Sequence, residues 1–151
     1  MISMGKWDDE REWLKAARDV AEDSQERAMQ EYDIVITQQE SLWESLTTEF
    51  SSAVDNINIG SGSAPLLRIH SLKGVRGFTI IAHRPKNIGT ATVVFNSQLK
   101  QVTINFTKGG DASSLKYTIR ANEQNRAEFS QQNMEAITND GIVSDTISHL
   151  R

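Results

Sequence analysis

Fifty-four consecutive residues, Lys6 to Ile59, contain neither glycine nor proline, and the next six, Gly60-Ser61-Gly62-Ser63-Ala64-Pro65, contain three such residues. Glycine frees the backbone, whereas proline fixes φ and removes a hydrogen-bond donor, so the two are the strongest punctuation a chain carries. The chain therefore divides here. Residues 1–59 read as a long helical segment, 60–65 as a linker, and 66–151 as an antiparallel sheet with a C-terminal helix. Together they make one structural domain with a protruding helical arm, the C-terminal part of residues 1–59 being the part docked on the sheet. No motif in the chain names a function.

The apolar residues of the first segment recur at helical spacing: Trp7, Leu14, Ala17, Ala21, Ala28, Tyr32, Val35, Leu42, Leu46, Phe50, Val54 or Ala53, and Ile57. Gaps of three, four and seven draw one stripe down a helix. Gln39 and Ser24 or Gln25 interrupt it. The β-branched run Ile34-Val35-Ile36-Thr37 has weaker helix propensity, which leaves room for a bend or break there and for a hairpin near residues 24–37. Length matters too. An unbroken helix of about 50 residues would be ~75 Å long, and a compact domain of the remaining ~90 residues is only ~30–35 Å across. Either the helix folds back as a hairpin, or part of it leaves the domain to meet a partner helix.

The second segment alternates with period two. Gln101 to Thr107 puts Val102, Ile104 and Phe106 on one face, and Leu115 to Ala121 does the same with Leu115, Tyr117 and Ile119. That is the pattern of half-buried antiparallel strands. Lys108 to Ser113 is the loop between them, and Ala91 to Asn96, Leu66 to Leu72 and Gly77 to His83 are earlier strands. Arg84 to Gly89 reads as a loop, and a sixth short strand is expected around Arg126 to Ser130. Symmetric hairpins place Val93, Ile104 and Tyr117 in one cross-strand row and Phe95, Val102 and Ile119 in the next. The opposite face then carries Thr92–Asn105–Lys116, Val94–Thr103–Thr118 and Asn96–Gln101–Arg120. A final helix, capped by Ser130 or Asn133 with Met134 and Ile137 inward, ends at Asn139-Asp140-Gly141, and a last amphipathic turn follows. The expected architecture is α+β: a long N-terminal helix on a five- or six-stranded antiparallel meander, with the C-terminal helix on the same face.

Charge is split between the halves. Residues 1–59 hold fourteen Asp and Glu against five Lys and Arg, a net −9, and residues 60–151 hold six against eleven, a net +5. The acidic helix can lie against its own basic sheet or a neighbour's, or the basic surface can be kept for an anionic partner. No apolar run approaches the ~20 residues of a membrane span, residues 1–10 have no signal-peptide pattern, and there is no membrane partner to expect. With no cysteine, disulfides, thiolate zinc sites and cysteine nucleophiles are excluded. A cytoplasmic setting is expected.

Catalytic patterns are missing. His70, His83 and His149 have no metal-ligand or triad spacing, and no phosphate loop, dinucleotide fingerprint or nucleophile elbow occurs. Catalytic, metal and cofactor sites are therefore all expected to be none, and the protein is expected not to be an enzyme. Its expected work is assembly: the amphipathic helix meets another copy or another helical protein through Trp7, Trp13, Leu14, Tyr32 and Val35, since large aromatics dominate such contacts. The second reading puts nucleic acid or a phosphorylated ligand on the open sheet face carrying Lys116, Arg120, Gln101 and Asn105. That face offers no aromatic for base stacking.

Overall fold

The computed structural model describes residues 5–62, 64–83, 88–131 and 135–150. Helix α1 (Asp8–Asn58) runs unbroken for 51 residues, so of the two arrangements left open, a hairpin near residues 24–37 or a helix that leaves the domain, the second is found. Val35, inside the β-branched run, is buried. Tertiary packing there outweighs a few tenths of a kcal/mol of weak local propensity. The helix is ~77 Å long.

Seven strands follow: β1 (Leu67–Ser71), β2 (Gly77–His83), β3 (Ile88–Asn96), β4 (Gln101–Lys108), β5 (Asp111–Ala121), β6 (Ala127–Gln131) and β7 (Glu135–Ile137), then helix α2 (Asn139–His149). They pair in chain order as one antiparallel meander. The class is α+β, with seven strands where five or six were expected. The extra one is β7. Its residues Glu135–Ile137 stand in place of the expected helix, of which Asn133 and Met134 lie outside the described residues. Asn139-Asp140-Gly141 opens a helix instead of closing one, because the Thr138 side chain caps it by accepting from the Gly141 N–H at 3.1 Å.

One face of the sheet packs on the helices. Val35, Trp43, Leu46, Phe50 and Val54 from α1 meet Phe78, Ile80, Val93, Phe95, Val102, Ile104, Tyr117, Ile119 and Phe129 from the strands and Ile142 and Val143 from α2 in one core. Trp43, absent from the stripe read in the sequence, stacks on Phe95 at 5.3 Å and on Phe78 at 5.9 Å between ring centroids. The helix end is clamped to β1 at two points: Asn58 Nδ2 donates to the Leu67 carbonyl at 2.8 Å, and the Leu67 N–H donates to Asn58 Oδ1 at 2.9 Å.

The β3–β4 rows are as expected, Val93 opposite Ile104 and Phe95 opposite Val102. The β4–β5 rows are not. Val102 faces Tyr117 and Ile104 faces Leu115, two residues from the symmetric expectation. Gly109 and Gly110, at φ 58° and 94°, make a two-residue turn between Lys108 and Asp111, so Asp111–Ser113 belong to the strand and not to a loop. Positive φ at both central positions is the turn whose twist suits a hairpin. A shift of two leaves every side chain on its expected face, and the core survives the correction.

Candidate interaction surface

Arm and sheet are parts of one helix and its cover. The sheet and α2 bury α1 only from Val35 onward. Residues 9–30 are all exposed. With successive side chains ~100° apart around the axis, Tyr32, Ala28, Ala21, Ala17, Leu14 and Trp7 continue the side of the helix that the sheet covers further on. The core-facing stripe thus runs out past the sheet into solvent. Trp13 and Val20, one and six residues from Leu14, flank it on one side and Met29 on the other.

Four of the five expected anchors sit on this free surface: Trp7, Trp13, Leu14 and Tyr32 are exposed, Trp13 to 68%. Val35 does not. At 5% exposure it is spent in the chain's own core. Tyr32 marks the base of the arm, where the Lys100 ammonium from the β3–β4 turn lies 4.8 Å from its ring centroid. Gln38, six residues further on, reaches the start of β6, with its Oε1 accepting from the Ala127 N–H at 2.8 Å.

What holds the arm by itself is slight. Arg18–Glu22 at 3.8 Å and Arg27–Glu31 at 3.3 Å are exposed i,i+4 pairs, each contributing about 0.3–0.5 kcal/mol. Arg11 and Asp8 stand 3.9 Å apart. Residues 8–34 hold ten acids and four bases, a net −6.

The open sheet face is different in kind. With the corrected register its rows are Thr92–Asn105–Ser114, Val94–Thr103–Lys116 and Asn96–Gln101–Thr118. Lys116 therefore has Thr103 as its cross-strand neighbour, and Arg120 lies beyond the end of β4. Arg120 pairs across β6 with Glu128, Nε to Oε1 at 3.3 Å. Neighbouring threonines bond to each other, Thr79 to Thr92 at 3.2 Å and Thr90 to Thr107. These side chains satisfy one another on a mostly uncharged surface.

The histidines are dispersed. His70 stands opposite Thr79 and His83 opposite Ile88. His149 stacks on Phe106 at 4.6 Å, and its Nδ1 donates to the Asp145 carbonyl at 2.7 Å. Among the described residues no group of three or more His, Asp or Glu side chains is placed to hold a metal ion, and no helix is long and apolar enough to cross a membrane. No protein-family model, curated protein or solved structure matches this chain.

Proposed function

We propose that this protein works by assembly, with the N-terminal arm of α1 as its contact device and no catalytic chemistry of its own. One observation carries the reading: the apolar stripe that builds the core continues for about 27 residues beyond the sheet with none of the described residues over it. Water-exposed Trp7, Trp13, Leu14 and Tyr32 on an amphipathic helix are the anchors such contacts use. A cytoplasmic setting belongs to the same proposal, since a cysteine-free chain suits a reducing compartment.

The competing reading, an anionic partner held by Lys116, Arg120, Gln101 and Asn105, has weaker support. Arg120 is already engaged by Glu128, and Lys116 has the uncharged Thr103 as its neighbour on β4.

Light scattering during size-exclusion chromatography tests the proposal on the full-length chain. The expected mass is a multiple of 16.9 kDa, returning to that of one chain when Leu14 and Ala21 are both replaced by Asp. Equal masses for the two proteins, with the sheet folded in both, would overturn it.

A further inference from the structure

We infer that the arm's apolar face is covered by the same arm of a second copy, running antiparallel, with a two-fold axis passing beside Ala21. This rests on the assembly reading above and names its partner, polarity and register.

The first ground is spacing. Trp7, Leu14, Ala21, Ala28, Val35 and Leu42 recur every seven residues. Such a set keeps to one face of a helix with a drift of only ~20° per repeat, the geometry of two helices wound on each other. Val35 lies under the sheet. So the surface the arm offers is continuous with an interface already formed inside the chain.

The second ground is steric, and it decides polarity. In each copy the sheet occupies the stripe side of α1 from Val35 to Val54. A parallel pair joined through that side would bring both sheets to the same height on the same axis, where they would collide. Antiparallel pairing puts the sheets at opposite ends. Each partner arm then lies over the ~40 Å of helix that its neighbour's sheet leaves bare, and its tip stops at the rim made by Tyr32, Lys100 and Gln38. The partner arm simply extends the cover.

Size complementarity agrees. With Ala21 level with its own symmetry mate, Leu14 comes level with Ala28, and Trp7 with the start of the sheet at Val35. Large residues meet small ones, which keeps the helix axes evenly spaced at the usual 8–10 Å. A parallel register would set Trp7 on Trp7 and Ala28 on Ala28, forcing the axes apart at one end. Trp7, Trp13 and Tyr32 are each more than half exposed. The six rings of a pair supply roughly 600–900 Å², and Leu14, Met29 and the alanines bring the total toward the ~1,200 Å² at which stable interfaces begin. The same surface is used by both copies, as a closed two-fold dimer requires.

Charge gives the pair a signature. Two arms of net −6 repel, so added salt screens the repulsion and tightens the dimer. A contact held by opposite charges would loosen instead.

Because the chain has no cysteine, single-cysteine variants of the full-length protein read the register directly. Ala21→Cys, Leu14→Cys and Ala28→Cys each lie at exposed positions, where the fold tolerates the change. Under mild oxidation, Ala21→Cys is expected to form a covalent dimer with itself. Leu14→Cys and Ala28→Cys are expected to form one only when mixed, and light scattering of the unmodified protein is expected to give twice 16.9 kDa. Self-linking of each variant, with no link between the two different variants in the mixture, would establish a parallel pair and overturn this inference, leaving the assembly reading in place. A dimeric mass with no link at any of the three positions would likewise overturn the register alone. A single-chain mass from low to high salt would overturn self-pairing and the assembly reading together.

Discussion

The indole of Trp43 lies flat on the ring of Phe95, planes 12° from parallel and centroids 5.3 Å apart. The Arg76 guanidinium covers the far part of the same cluster, 5.1 Å from the Phe95 centroid, and pairs in turn with the Glu40 carboxylate one turn before Trp43. Helix, sheet and the β1–β2 turn are thereby fastened together, roughly two to three turns beyond the last exposed residue of the arm. The fastening is what lets a helix twice as long as its sheet hold a fixed direction.

Trp43→Ala should therefore cost about 3–5 kcal/mol of folding stability, because it opens a large cavity between α1 and β3. Trp13→Ala, on the bare arm, should change stability by no more than about 0.5 kcal/mol while weakening assembly. Chemical denaturation of both variants, at a concentration low enough to keep each as a single chain, checks the contrast, and similar losses would mean that the arm packs within its own chain.

The ion pair is a smaller matter. The hydrogen bond from Arg76 holds the Glu40 carboxyl below its ordinary range, with the guanidinium's charge adding to the effect. Both side chains are nearly half exposed, so solvent screens the pair and Glu40→Gln should cost at most about 1 kcal/mol. A depressed folded value contributes stability above the unfolded carboxyl range that is lost as pH falls through the folded one. The difference between wild type and Glu40→Gln should thus shrink on acidification below about pH 4.

Tyr117 titrates at the other extreme. Burial, helped by the Asp145 carboxylate, pushes its hydroxyl up to about 12. Below pH ~10 both folded and unfolded states keep the proton. Above that the unfolded chain releases it first, so stability falls as pH rises from about 10 and the loss levels off above about 12. Tyr117→Phe should abolish this part of the alkaline decline. The hydroxyl has no hydrogen-bond partner among the described residues, so the same variant should gain about 1 kcal/mol at neutral pH; thermal melts from pH 7 to 11 measure both effects.

Gln39 is another buried polar group without a partner among the described residues, its Oε1 unbonded on the core side of α1. Replacing it with Leu, of similar reach, should raise stability by about 1–2 kcal/mol, read as a shift in the denaturation midpoint. A loss would mean that the amide is satisfied in solution by water.

At Gly77 no side chain fits, since a Cβ would stand 2.2 Å from the Val93 carbonyl oxygen. Gly77→Ala should destabilise by more than the ~1 kcal/mol typical of a point mutation, with amide exchange accelerated first along β2 and β3.

Much of this architecture was open to sequence inspection because the forces behind it are local and periodic. The glycine- and proline-free run, the alternation of Val102, Ile104 and Phe106, and the three-and-four spacing of Leu46, Phe50 and Val54 each depend on where a side chain points. Backbone geometry alone sets that direction. Length had the same force: a helix of 51 residues exceeds any sheet the rest of the chain can build, so an uncovered portion follows from counting. That Trp7, Trp13 and Tyr32 fall on that helical segment was visible for the same reason.

What pairs with what needed the folded chain. Val35 reads as an anchor like Tyr32, three residues before it; only the position of the sheet's edge makes one of them core and the other surface. Trp43 sits beside the stripe in sequence and at its centre in space, because Phe78 and Phe95 come from strands more than thirty residues away. The β4–β5 register turned on whether Gly109 and Gly110 make a tight turn or open a longer loop, and both choices keep the same residues inward. Glu135–Ile137 became a strand because β6 offered an open edge to pair with. Periodicity is a property of neighbours along the chain and survives inspection one residue at a time. Register, edges and cover are properties of segments far apart, settled by which arrangement buries the most apolar surface with the fewest unpaired polar groups.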